Sequence, residues 1–278
     1  MNRDVEEFLA SFPFADTTRG TYRRALVQLE DRCQPGKLSA ADLLGFISRP
    51  EWGMNQRYTV LCACRKYLSY KYGPDHPALA ARVKRGLPRR QRVLSVENAL
   101  ELLASFDTFT TKGSRDLALA AVLLDTGLRC SEVCRLALAD VDLVDRHLQV
   151  IVKGGQWAGA VFSTETAQYL REWIVQRRPA SGEGAMFVSL HQQRRGKALT
   201  REGLKILVRN WGLSIGIKLS PHDFRRSFAT LSTIFGAPSR IVQVAGRWSQ
   251  ITMVERYTQD VQQSAIEPYL PVARLRVK

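Results

Sequence analysis

The chain has no run of apolar residues that approaches bilayer length, so it offers no candidate for a membrane-spanning helix. It also lacks a disulfide framework. Its cysteines, Cys33, Cys62, Cys64, Cys130 and Cys134, are odd in number and not spaced for pairing. Cys62-Ala-Cys64 is too tight for a zinc knuckle, and Cys130 and Cys134 lie one helical turn apart without companion ligands. Free thiols in a reducing cytoplasm are the expectation. The N-terminus, Met-Asn-Arg-Asp-Val-Glu-Glu, is acidic and has no apolar core region, so it does not read as a signal peptide. Acidic residues are sparse, and none cluster where two magnesium ions could be held against a phosphate. No metal and no cofactor are expected. Internal repeats and low-complexity tracts are absent as well.

What is present in excess is positive charge. Lys and Arg number 41 against 26 Asp and Glu, a net charge of +15 over 278 residues. Residues 1–90 carry +7 of this and residues 91–278 carry +8, so both halves suit a polyanion.

Residues 1–85 read as helical throughout. Thr17 or Thr18 can cap a helix that places Tyr22, Leu26, Leu29 and Cys33 on one stripe, and Pro35-Gly36 ends it. A short helix follows Ser39 with Leu43, Leu44 and Phe46 inward. A longer one starts near Asn55, with Tyr58, Leu61, Cys64 and Leu68 on its apolar face and Arg57, Arg65, Lys66 and Lys71 on its polar side. Residues 86–93 contain Gly86 and Pro88 among Arg89, Arg90 and Arg92 and lack periodicity, which predicts a basic, extended linker.

The second domain, 94–258, opens with Ser95 as a cap for a helix to about Phe106. Arg115–Leu124 is nearly all apolar and should be a buried helix closed by Gly127. The alternation at His147–Val152 and the segment Ala158–Phe162, separated by Gly154-Gly155, predict a β-hairpin. Helices resume near Thr164–Gln176, Thr200–Asn210, His222–Ile234 and Arg240–Ala245. The fold class is therefore mainly α: a helical N-terminal domain, then a mixed α+β domain, mostly helical with a small antiparallel sheet.

Chemistry concentrates in a few places. Pro221 favours a helix beginning at His222, and residues three apart share a helix face, so His222 and Arg225 project side by side. A proton carrier beside a planar anion clamp suits a phosphate undergoing reaction. Upstream stands Thr126-Gly127-Leu128-Arg129-Cys130-Ser131-Glu132, and Lys153 follows Arg129 by 24 residues in a glycine-rich turn. Downstream, Trp248 precedes Tyr257 by nine residues, and Tyr257 follows His222 by 35.

In this order and at these intervals the set resembles the signature Arg…Lys…His-x-x-Arg…His/Trp…Tyr of the tyrosine recombinases, the phage integrase family. The resemblance is close over roughly 94–257 and looser before it, and it is to the Cre- and Xer-like two-domain form without an arm-binding domain. It implies a core-binding (SAM-like) N-terminal domain whose Arg57, Arg65, Lys66, Arg89 and Arg90 contact DNA. It further implies a catalytic domain in which Arg129 and Arg225 bind the scissile phosphate and Lys153 protonates the departing 5′-oxygen. His222 assists proton transfer, Trp248 stands where most members have histidine, and Tyr257 is the nucleophile. Glu132 orients Arg129 or His222 from behind. Val152-Lys153-Gly154-Gly155 departs from the common Gly-Lys-Gly pattern and lacks the second base that often follows.

The implied activity is site-specific recombination through a 3′-phosphotyrosine and a Holliday junction, without metal or ATP. The implied partner is duplex DNA with paired inverted sites, bound by a tetramer that is monomeric when free. A type IB topoisomerase-like enzyme shares the same apparatus, and a catalytically silent DNA-binding protein is the reading from another class. The complete set of six side chains argues against the latter. The tail, 259–278, carries Val261, Ile266, Tyr269, Leu270 and Val272 among prolines, too apolar for a solvated end. It docks either on its own domain or, as the same resemblance implies, on a neighbouring protomer.

Overall fold

The structure, a computed structural model, describes residues 3–84, 86, 92–152, 155–180, 182 and 184–255. The chain divides into two compact units, Met1–Arg89 and Arg90–Lys278.

The first unit is built from α1 (Arg3–Ala10), α2 (Asp16–Arg32), α3 (Ala40–Ile47) and α4 (Met54–Tyr72). Ser39 starts α3 through a reciprocal cap: its hydroxyl accepts from the Asp42 amide at 3.2 Å, and the Asp42 carboxylate accepts from the Ser39 amide at 3.0 Å. Neither Thr17 nor Thr18 caps α2. That helix begins two residues before the point a Thr17 cap would set, with Ala15 at the N-cap and Asp16 placing negative charge in the first turn. The core gathers Val5, Phe8 and Leu9 of α1, Leu26 and Leu29 of α2, Leu43 and Ile47 of α3, and Leu61, Cys64, Tyr67 and Leu68 of α4. Tyr58 does not join it and remains exposed, because the inward face of α4 runs through Val60, Cys64 and Tyr67 instead. Tyr67 donates to Glu30, while Lys71 pairs with Asp4 at 2.6 Å and with Glu30 at 3.1 Å, so the Lys71 charge is committed within the unit.

In the second unit Ser95 caps α5 (Val96–Ala104), its hydroxyl accepting from the Asn98 amide at 3.1 Å. α5 ends two residues before Phe106, whose ring packs edge-on against Trp211 at 5.4 Å. α6 (Thr111–Thr126) is the central element and packs against α8 (Thr164–Arg171) and α10 (Pro221–Ile234). Leu119, Val122 and Leu123 are fully buried, each worth about 2 kcal/mol in apolar transfer. The same helix buries an ion pair. Asp116 accepts from Arg115 at 2.6 and 2.8 Å and from the Trp211 indole at 2.9 Å, so its charge is fully partnered in the interior.

α7 (Cys130–Val133) is a single turn. The sheet has the order β1 (Val141–Asp142), β2 (His147–Ile151), β3 (Trp157–Val161), all antiparallel, with Leu148 opposite Ala160. The hairpin matches the alternation in the sequence; β1 is too short to leave a period-two pattern. α8 gives way at Glu172 to a wider π-type turn through Arg177. α9 (Arg201–Ser214), α10, α11 (Ser239–Ala245) and α12 (Thr252–Glu255) complete the described unit. Lys153, Arg89, Arg90, Tyr257 and the tail 259–278 lie outside the described residues.

Candidate active site

The turn between α6 and α7 is where the site is built. Thr126 ends α6, Gly127 adopts the left-handed conformation at φ 57°, and Arg129 becomes the N-cap of α7. A side chain at Gly127 would be strained by that φ and would meet Phe228 Cδ1 at 2.6 Å. Arg129 then emerges with two-fifths of its side chain exposed. Glu132 lies beneath it, 3% exposed, receiving the Arg129 guanidinium at 2.7 Å and the Arg129 amide at 2.9 Å. A buried carboxylate with both oxygens occupied fixes the direction of the arginine and neutralises its desolvation. Of the two residues the sequence offered for Glu132 to orient, Arg129 and His222, the one it holds is Arg129.

α10 starts one residue before the expected His222, with Pro221 itself at its first position and with Ser220 and Asp223 in reciprocal contact. The Asp223 carboxylate accepts from the Ser220 amide and hydroxyl at 2.8 Å each and from Arg226 at 3.0 Å. His222 remains at the surface. Partial desolvation of its ring, then the charges of Arg226 and Arg225, hold its pKa below the ordinary imidazole value; Asp223 opposes and Arg129 adds to the lowering. Arg129 is therefore near enough to act on His222 through its field. The folded pKa is depressed, so the unfolded chain takes up the proton first on acidification. His222 thus withdraws stability as pH falls through its unfolded value and leaves it level above. An NMR titration should find His222 less basic than a histidine in an unfolded peptide. Filling the site with a phosphate dianion should raise it, because the anion offsets the arginines.

Arg225 is 2% exposed. Its Nη1 donates to Gly127 O and its Nη2 to Gly246 O, each at 2.6 Å, and the guanidinium carbon lies 4.3 Å from the Trp248 ring centroid. Trp248 is itself buried and stacks on Phe228 at 6.2 Å. A Cβ on Gly246 would lie inside the indole, so only glycine lets the ring reach Arg225. Arg129, Glu132, His222, Arg225 and Trp248 thus converge on one turn. Lys153 belongs to the β2–β3 connection, whose described flanks are closed by Val152 N–H to Gln156 O at 2.8 Å and Gly155 N–H to Val152 O at 3.0 Å.

Two arginines of the neighbourhood were missed in the sequence. Arg226 follows Arg225 and was hidden by the His-x-x-Arg spacing. Arg247 stands between Gly246 and Trp248 at φ 56°, a backbone state that side-chain-bearing residues seldom adopt.

In the first unit Arg57 donates to Trp52 O at 2.8 Å and to Arg49 O at 2.7 Å, bracing the turn before α4. Arg65 is half-buried. The Lys66 ammonium lies 4.3 Å from the Phe12 ring centroid and 4.7 Å from that of Phe14. Among the described residues no group of three or more His, Cys, Asp or Glu is placed to hold a metal ion, and no helix is long and apolar enough to cross a membrane.

The profile of the phage integrase family matches residues 92–264. Tyrosine recombinase XerD of Staphylococcus epidermidis is 27% identical over 281 residues, covering 93% of this chain and 94% of the relative. Tyrosine recombinase XerD of Listeria innocua is 30% identical over 240 residues, covering 81% and 79%. Among solved structures, the XerH site-specific recombinase bound to palindromic difH substrate superposes with a TM-score of 0.74 at 18% identity over 90% of this chain and 78% of that one. The Tn1549 transposon integrase in complex with a circular intermediate DNA gives 0.74 at 18% identity, over 98% and 99%. The chain belongs to the phage integrase family, the tyrosine recombinases, whose enzymes cut and rejoin DNA in site-specific recombination.

Proposed function

We propose that this chain recombines duplex DNA at paired inverted sites through a covalent 3′-phosphotyrosine and a Holliday junction. The observation that carries the reading is the convergence of Arg129, His222, Arg225 and Trp248 on the α6–α7 turn, with Glu132 fixing Arg129.

In this mechanism the Tyr257 hydroxyl attacks the scissile phosphorus and the bond to the 5′-oxygen breaks. His222, whose pKa is lowered first by partial desolvation and then by Arg226 and Arg225, accepts the phenolic proton. Lys153 donates a proton to the leaving 5′-oxygen; an arginine could not, since it does not release one at neutral pH. Negative charge builds on the non-bridging oxygens and is met by Arg129 and Arg225, whose directions are set before substrate arrives. Trp248 offers one indole donor and an aromatic face, and it cannot titrate. Rejoining reverses the same steps with a 5′-hydroxyl from the partner strand.

The first unit, residues 1–85 with the linker 86–93, grips DNA as the core-binding domain. Arg65 and Lys66 supply phosphate contacts, joined by Arg57, Arg89 and Arg90. Residues 94–258 form the catalytic domain, and the tail 259–278 links protomers in a homotetramer on DNA. The basic balance of both halves supports a two-sided grip.

A nicked suicide substrate that traps the adduct tests the reading. The protein should form a covalent complex in excess EDTA, because fixed cations do the work a metal would do. An absolute magnesium requirement would overturn the metal-free mechanism. Relaxation of supercoiled DNA irrespective of sequence, with no strand exchange between paired sites, would point to a topoisomerase instead.

A further inference from the structure

Arg247 has no role in the mechanism above, yet its conformation is costly. It and Arg146 are the non-glycine residues among those described with positive φ. An L-residue in that state is disfavoured by its own Cβ, so the surroundings must hold it there. Arg146 sits in the β1–β2 turn, a common place for such a residue, whereas Arg247 lies against the site.

The Arg247 side chain shows what holds it. Nη2 donates to Thr126 O and Nη1 to Ala245 O, each at 2.8 Å, while Nε is buried without a hydrogen-bond partner. Thr126 O is one of the last carbonyls of α6, at the negative end of its dipole, and α6 has no basic residue of its own in its last turn. Arg225 takes the next carbonyl, Gly127 O, and ties it to Gly246 O. The two arginines therefore staple consecutive carbonyls of the turn that presents Arg129 to consecutive carbonyls of the turn that presents Trp248. Arg247 also acts electrostatically on the Arg129–Glu132 pair: burial lowers its own pKa, Glu132 raises it and Arg129 lowers it further.

We propose that Arg247 is a positioning residue for phosphoryl transfer: its guanidinium, forced by the left-handed backbone to span Thr126 O and Ala245 O, fixes the Arg129 turn against the Trp248 turn. The proposal rests on the recombinase reading and extends it to a side chain outside the six-residue signature. An arginine is needed because one planar fork must reach two carbonyls on separate segments; a lysine presents a single point of charge.

The test compares R247G and R247K with the unaltered chain on a nicked duplex suicide substrate, reading single-turnover adduct formation, DNA affinity and thermal melting separately. Adduct formation by the unaltered protein establishes the underlying reading; without it the recombinase assignment fails, not merely the role of Arg247. Glycine relieves the strained backbone while removing both carbonyl bonds, so R247G should melt within a few degrees of the parent. Its cleavage rate should fall about ten- to a hundredfold, the range expected when charge-assisted hydrogen bonds that fix a catalytic group are lost, with affinity changed much less. R247K should recover part of the affinity but little of the rate, since it restores charge without the bridge.

Full cleavage activity in R247G would overturn the proposal. So would a loss of rate matched by an equal loss of folded protein, or complete rescue by R247K, which would reduce the residue to a general positive charge. If R247G does not fold, R247K decides: a parental rate refutes the bridge, and a depressed rate at unchanged melting temperature upholds it.

Discussion

Tyr257→Phe should abolish covalent adduct formation while leaving DNA binding intact. The substitution removes one oxygen, the atom that would become bonded to phosphorus, and keeps the ring. The expected loss is total, because a phenyl ring has no oxygen with which to attack phosphorus. The assignment rests on spacing: Tyr257 follows Trp248 by nine residues and His222 by 35, whereas Tyr269 comes twelve residues later, after a proline. Denaturing gels of the trapped suicide substrate measure the adduct, and a gel shift on the same duplex measures affinity. An adduct that persists in the mutant would move the nucleophile elsewhere, with Tyr269 the next residue to mutate. Loss of both adduct and affinity would show that the phenol hydroxyl supports the fold or the DNA contact, and the mutant would then say nothing of chemistry.

Much of the second unit was legible because its signals are local. Gly127 had to end a helix, Pro221 had to begin one, and the alternation at 147–151 had to be a strand; each rests on a single residue's backbone preference or on period-two patterning. Ser39 and Ser95 were legible as caps for the same reason. Ala15 was not, since α2 relies on the Asp16 charge rather than a capping hydroxyl, and the threonines that looked like caps fall inside the helix. Tyr58 was placed inward by a stripe drawn too wide; Tyr67, one polar hydroxyl among apolar neighbours, took the interior place because Glu30 satisfies it.

The candidate site divides along the same line. Arg129, His222, Arg225 and Trp248 were picked out by their resemblance to the family signature, whose chain order and intervals survive in a linear string. The partners of Arg225 could not. Gly127 O and Gly246 O come from segments far apart in sequence, and carbonyls are supplied by every residue alike, so nothing in the string marks them. The requirement for glycine at 246 was equally silent, because it arises from an indole two residues on that folds back over it. Arg247 was missed for a related reason. A left-handed backbone is normally announced by glycine or asparagine, and here the announcement is absent.

Arg225→Lys should reduce cleavage by about two to three orders of magnitude, the cost of losing a preorganised donor to a developing oxyanion, and should lower stability as well. The two effects have separate origins. The positive charge is retained, so a simple count of cations predicts little change in either. Geometry predicts otherwise: the guanidinium reaches Gly127 O and Gly246 O at 2.6 Å each while lying flat against Trp248, and a tetrahedral ammonium cannot do all three at once. One carbonyl loses its donor, the indole loses its planar partner, and the ammonium sits where only 2% of the original residue met solvent. Breaking a charge-assisted bond in such surroundings costs about 2–4 kcal/mol. For a unit of this size that lowers the melting temperature by roughly 5–12 °C. Desolvation would also depress the new lysine's pKa, so raising the pH should deprotonate it and deepen the defect, whereas an arginine at the same place stays charged. Calorimetry and single-turnover cleavage measured across pH on one preparation separate the contributions. A mutant that melts normally yet fails to cleave would place the importance of Arg225 in the phosphate alone. One that cleaves normally would remove it from the clamp, leaving Arg129 as the arginine on which the scissile phosphate depends.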